Sequence, residues 1–225
     1  ALIYGDNDTI NAAANVIISD GYGGNIVNLN NAGGTTFYDG GSSGETINIS
    51  GNGSNDDYVS ASSSTITFQN NARADTYGSH NTISAGSGDI VGSYNGTNNA
   101  VTIGSNSSAW LGSGSSNTIN VNGSSGGSNV YDSDTSGDTV NVSGNGTSGT
   151  SDGIHIASGT VAISSSANAY IVGNSNTITA GSNDTVGIYG SANTLTIGAA
   201  GTVNMGTSGG NTINVTGAGN SNVYD

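Results

Sequence analysis

Residues 131 to 138 read YDSDTSGD and bring three carboxylates, Asp132, Asp134 and Asp138, into one short polar stretch. Carboxylate oxygens clustered this way suit a hard divalent cation, since Ca2+ gathers roughly six to eight oxygen ligands. An earlier copy of the stretch, FYDGGSSGE at 37 to 45, keeps only Asp39 and Glu45. Three more segments, GDNDTI (5 to 10), GSGDIV (86 to 91) and GSNDTV (181 to 186), set Asp8, Asp89 and Asp184 in Gly- or Asn-rich turns. Asp89 and Asp184 stand 184 − 89 = 95 residues apart and cannot share an ion. Each is either one ligand of its own Ca2+ site or a solvated turn residue making an Asx-type bond.

Other chemistry finds fewer residues to work with. His155 in GIHIASG alternates with Ile154 and Ile156 and should point outward from a strand, while His80 falls in a corner where Ser175 stands one long repeat later. Asp56 and Asp57 are adjacent, so on a strand they would face opposite ways and could not serve as an acid/base pair, whereas in a loop they could. The chain has no Cys, which removes disulfides, thiolate catalysis and cysteine metal sites. Fifteen acidic residues against one basic residue, Arg73, leave nothing to neutralise phosphates, which excludes nucleic acid as a partner, and no run approaches 18 apolar residues, so no membrane insertion is expected. No catalytic residue is expected and no cofactor is required, with Ca2+ the one candidate ligand.

The elements that must carry these residues are strands. Only 32% of positions are hydrophobic and 39 are Gly, a composition that reads first as disorder. Alternating runs such as TINV, TVNV and TLTI contradict that reading, because strict alternation marks half-buried strands. The alternation repeats on two scales. Tyr38, Tyr131 and Tyr224 recur at 131 − 38 = 93 and 224 − 131 = 93, and other anchors recur at 95. A shorter unit of about 8 to 10 residues, doubled, makes a coil of about 18 to 20. Ala12 and Tyr38 are 38 − 12 = 26 positions apart, and the equivalent Ala180 and Tyr224 are 224 − 180 = 44 apart; the difference of 18 is one whole coil. Solenoids tolerate such an excision because each coil touches only its neighbours.

The fold expected is therefore all-β: a single parallel β-solenoid (β-helix or β-roll) over 1–225, right-handed by crossover chirality. Its long repeats are 1–38 (partial), 39–131 and 132–225. Some twelve coils would form a rod about 55 to 60 Å long. Within NTINV (211 to 215), Ile213 and Val215 should line the core while Thr212 and Asn214 face water. Recurrent Asn at unit starts, as at Asn81, Asn117, Asn176, Asn193 and Asn211, should build side-chain amide ladders that satisfy the corner backbone.

GDNDTI, GSGDIV and GSNDTV resemble the tail of the RTX nonapeptide, and the chain is similar in rhythm to degenerate RTX-like repeats of large bacterial adhesins. The resemblance implies a parallel β-roll, Ca2+ between turns and secretion, although here the double Gly is mostly missing and Asn often replaces Asp. Rows such as Thr177/Thr179, Thr194/Thr196, Thr212/Asn214 and Thr118/Asn120 resemble the Thr-x-Thr ranks of solenoid ice-binding proteins. The function expected is a structural segment of a secreted or cell-surface bacterial adhesin or extracellular fibre, serving as a stiff spacer or filament. Ice binding, glycan binding through the recurrent Tyr residues, and polysaccharide processing by a β-helix enzyme are the alternatives. Expected partners are further coils, by self-association end to end or continuation of a longer chain, and surface glycans. The only Trp, Trp110, reads as a packed exception, and Asn-x-Ser/Thr triplets at Asn95, Asn106 and Asn183 arise from composition alone.

Overall fold

The computed structural model describes all residues except 31–32, 41–43, 52–54, 70, 124–125, 135–136, 145–149 and 165. Parts of the aligned repeat segments lie outside the described residues for that reason. The chain is all-β, with strands running from β1 (Leu2–Ile3) to β25 (Asn222–Tyr224). Odd-numbered strands form a 13-stranded sheet and even-numbered strands a 12-stranded sheet, each strand bonded to the strands two before and two after it in the chain. Among the described residues every strand pairing is parallel, so each coil adds one strand to each sheet and the molecule is a β-solenoid. Among the described residues, no helix is long and apolar enough to cross a membrane.

Coils vary in length more than the sequence expectation of 18 to 20. Thr160 aligns with Thr177, a step of 177 − 160 = 17, whereas Asn129 aligns with Gly153, a step of 153 − 129 = 24. The longer coil has more residues both between β15 (Asn129–Asp132) and β16 (Thr139–Ser143) and between β16 and β17 (Asp152–His155), stretches that lie partly outside the described residues. Corners turn on left-handed residues: His80 and Ser175, equivalent by repeat, have φ of 61° and 60°. Gly173, at φ 139°, lies so close to the Ile156 carbonyl that a Cβ would have no room.

Alternation places one residue in two inward, and the inward sets of the two sheets meet in a narrow core. In β14 (Thr118–Asn122), Ile119 and Val121 are buried while Thr118 and Asn120 are half-exposed. Their counterparts in β24 (Thr212–Val215) differ from expectation. Val215 is 47% exposed and Ile213 only half-buried, because no further strand of the 12-stranded sheet covers them. The missing coil inferred from spacing is visible in the strand count. Ala12 in β2 (Thr9–Ala12) and Tyr38 in β5 (Thr36–Asp39) are three strands apart, whereas Ala180 in β20 (Thr177–Ala180) and Tyr224 in β25 are five apart. Two strands are one coil.

Candidate functional site

Most corners preceding a strand of the 12-stranded sheet are built around one buried polar side chain, the exposed Asp8 before Thr9 and Gly159 before Thr160 being exceptions. The backbone N–H of Asn81 donates to Asn99 Oδ1 (2.8 Å), that of Asn99 to Asn117 Oδ1 (2.9 Å), and that of Asn117 to Asp138 Oδ1 (2.7 Å). The amide nitrogens donate the other way: Asn81 Nδ2 to Ala61 O and Asn99 Nδ2 to Gly78 O. Each Asn thus joins three coils, its side-chain amide satisfying corner backbone groups of its neighbours as the sequence suggested. Glu45, Ser64 and Asp138 occupy rungs of the same ladder, a role that the Asn-only pattern missed.

A carboxylate on a rung accepts but cannot donate, and it pays in desolvation. Glu45 is 1% exposed, and its Oε1 makes no hydrogen bond. Burial pushes its carboxyl up to about 7, with the charges of Asp20 and Asp39 adding to the rise. Asp138 shares a corner with Asp132 and Asp134, and one oxygen from each lies within 4.8 Å of the others. Asp132 belongs to β15 (Asn129–Asp132) and aligns with the buried Leu111, so its carboxylate is on the core side of the strand. Its Oδ2 is buried without a hydrogen bond. Burial, then the charges of Asp138 and Asp134, push its carboxyl up to about 7. Three converging carboxylates supply part of the oxygen set that Ca2+ takes.

Asp89 and Asp184 are not solvated turn residues. They are 0% and 1% exposed, and each accepts a backbone N–H one coil back, from Ala72 and Ala167 respectively, at 2.8 Å. Gly86 N–H also donates to Asp89. They form rungs at the corner before the 13-stranded sheet, far from the Asp132 cluster in the chain and apart from each other. Burial raises both above the ordinary carboxylate range.

The remaining ionisable residues separate as their spacing suggested. Asp57 is buried and accepts the Thr35 N–H, while Asp56 turns outward to pair with Arg73. His155 lies between the buried Ile154 and Ile156 and points outward, where its ring stacks on Tyr131 at 4.8 Å and meets Tyr170 edge-on at 6.0 Å. Trp110 is 43% exposed and stacked on Tyr131 at 4.1 Å, so it is an outer ring and not a packed core exception. With Tyr38, Tyr58, Tyr77 and Tyr94, stacked or tilted in series, these rings run along the outside of the 13-stranded sheet. A cleft of about 500 Å³ opens on that sheet, lined by Tyr170, Tyr189, Asn168 and Asn204 among others, with no carboxylate or imidazole in its lining.

The 12-stranded sheet carries a different outer surface. Thr118, Thr139, Thr160 and Thr177 align Cα to Cα on successive strands, with Asn120, Asn141, Ala162 and Thr179 beside them.

No protein-family model matches the chain, and no curated protein matches it. Among solved structures, the chain is similar to the crystal structure of a TibC-catalysed hyper-glycosylated TibA fragment, at 16% sequence identity, covering 95% of this chain and 94% of that one. The TM-score is 0.28.

Proposed function

We propose that the chain is a structural repeat segment of a secreted or cell-surface bacterial adhesin or extracellular fibre, acting as a stiff spacer or filament. The observation that supports this reading is the unbroken ladder: 13 and 12 parallel strands joined coil to coil, with buried side chains bonding neighbouring coils at the corners. Bending such a stack requires stretching backbone bonds on one side of several coils at once. A nearly Lys- and Arg-free surface rich in Asn, Ser and Thr keeps the rod hydrated and offers trypsin-like proteases little to cut. The unpaired edges of the end strands suit further coils of the same kind, from a continuing chain or a second copy. In this reading Ca2+ is an added brace at Asp132, Asp134 and Asp138 and not a requirement for folding.

Immunogold electron microscopy of the native material tests the proposal. Thin, straight stalks or filaments decorated along their length are expected; label confined to isolated globular particles would overturn it.

A further inference from the structure

The outer face of the 12-stranded sheet is a lattice. From Thr9 to Thr212 the first outward position of every strand stands in one column, and it is Thr in all strands but two, Ile26 and Ala100. The second outward position is Asn, Ser or Thr in all but one, Ala162.

This column holds its place through a full long repeat. Thr46 and Thr139 are 139 − 46 = 93 residues apart, and the registers lead from one to the other through Thr65, Thr82, Ala100 and Thr118 without a slip. The other sheet drifts. Traced coil by coil, Phe37 aligns through Val59, Thr76, Ser93 and Leu111 with Asp132, not with its counterpart in sequence, Val130. The cause of the difference is local. Rungs precede strands of both sheets, Asn81, Asn117 and Asn193 before the Thr column and Asp89 and Asp184 before the 13-stranded sheet, but in the latter the register slips by two residues where Asp57 aligns with Ala74 and not with the corner residue Ala72.

The outward positions of these strands carry no ionisable and no aromatic side chain. Charged ligands therefore find no counter-ion there, and sugar rings find no face to stack on. Strand spacing of about 4.8 Å and a two-residue step of about 6.7 Å give a grid of methyl, hydroxyl and amide groups roughly 50 Å long. Only a ligand that is itself periodic can use such a grid throughout. The grid is also held still. Thr is stiff at χ1, and the Asn amides bond along the column, Asn28 to Asn11 (2.9 Å), Asn48 to Asn28 (2.8 Å) and Asn141 to Asn120 (2.9 Å). A rigid array orders adjacent water at little further entropic cost.

We propose that this face binds ice. Oxygen rows on the prism faces of hexagonal ice repeat on nearly the same two-dimensional grid. The Thr methyls exclude mobile water between rows, while hydroxyls and amides anchor waters that already occupy lattice positions. The ligand is the solvent in its crystalline form, which needs neither a cleft nor charge. The inference stands on the Thr face alone and does not depend on the spacer role.

The test uses the full chain in ice-affinity partitioning and thermal-hysteresis measurements, with circular dichroism confirming the fold of each variant. The unaltered chain is expected to enrich in slowly grown ice and to depress its growth temperature. Thr82→Tyr and Thr177→Tyr, which set a bulky ring on the lattice, should each reduce the hysteresis by about fivefold or more by breaking the preorganised contact. Tyr58→Thr, on the opposite sheet, should leave it unchanged. A folded chain that neither enriches in ice nor shows hysteresis overturns the proposal, as does activity that survives both lattice variants or is lost equally in Tyr58→Thr. Retention on crystalline chitin or cellulose without ice enrichment would also overturn it, in favour of a polysaccharide surface.

Discussion

Single side chains decide how neighbouring coils are joined, and the informative ones are the exceptions. At most rungs an Asn both accepts and donates; at Glu45 the carboxylate only accepts and leaves Oε1 without a partner. Its pKa is raised from 4.5 to about 7, so the stability linked to its protonation is fully present below about 4.5 and lost as pH rises through 7. Asp132, raised from 3.8 to about 7, acts in the same direction. The melting temperature is therefore expected to fall between pH 5 and pH 8, and Glu45→Gln to raise it at pH 8 by relieving about 1 to 3 kcal/mol. Thermal melts followed by circular dichroism check both; a melting temperature that rises with pH would contradict the assignment. Ca2+ is expected to raise the melting temperature of the unaltered chain and to have a smaller effect on Asp132→Asn. The Asp132 cluster was legible in YDSDTSGD because its members are close in sequence. The burial of Asp89 and Asp184 was not, because a turn Asp and a rung Asp read the same until the adjacent coil is in place.

At the scale of elements, each strand is too short to stand alone and takes its stability from the strands on either side. Ile178 is buried within β20, whereas Ile213 in the end strand β24 is only half-buried. Ile178→Ala is expected to cost about 2 to 5 kcal/mol and Ile213→Ala clearly less, measured by urea denaturation. Equal losses would mean that the end strand is covered. Deleting residues 160–176, one full coil by the Thr160 to Thr177 register, should leave a cooperative melt and β spectrum. Deleting half that length should abolish them, because an outward set would then be forced into the core. Strand existence and inward faces followed directly from the alternation in TINV, TVNV and TLTI. Coil lengths did not, since the residues that lengthen a coil such as Asn129 to Gly153 carry no hydrophobic period of their own. Nor did the contrast between the two faces: Thr-x-Asn rows were visible singly, but only the cross-coil registers show that one column is fixed and the other drifts.

Across the whole molecule, distance along the rod is proportional to the number of coils between two residues. Since the chain has no Cys, pairs of introduced Cys residues can carry spin labels at chosen coils. Thr46 and Thr139 stand five coils apart, Thr46 and Thr194 eight, and Thr9 and Thr194 ten. Pulsed electron–electron resonance should give separations of about 24, 38 and 48 Å for the corresponding Thr→Cys pairs, a straight line at one strand spacing per coil. Separations that stop growing between five and ten coils would describe a chain folded back on itself, and would contradict the rod.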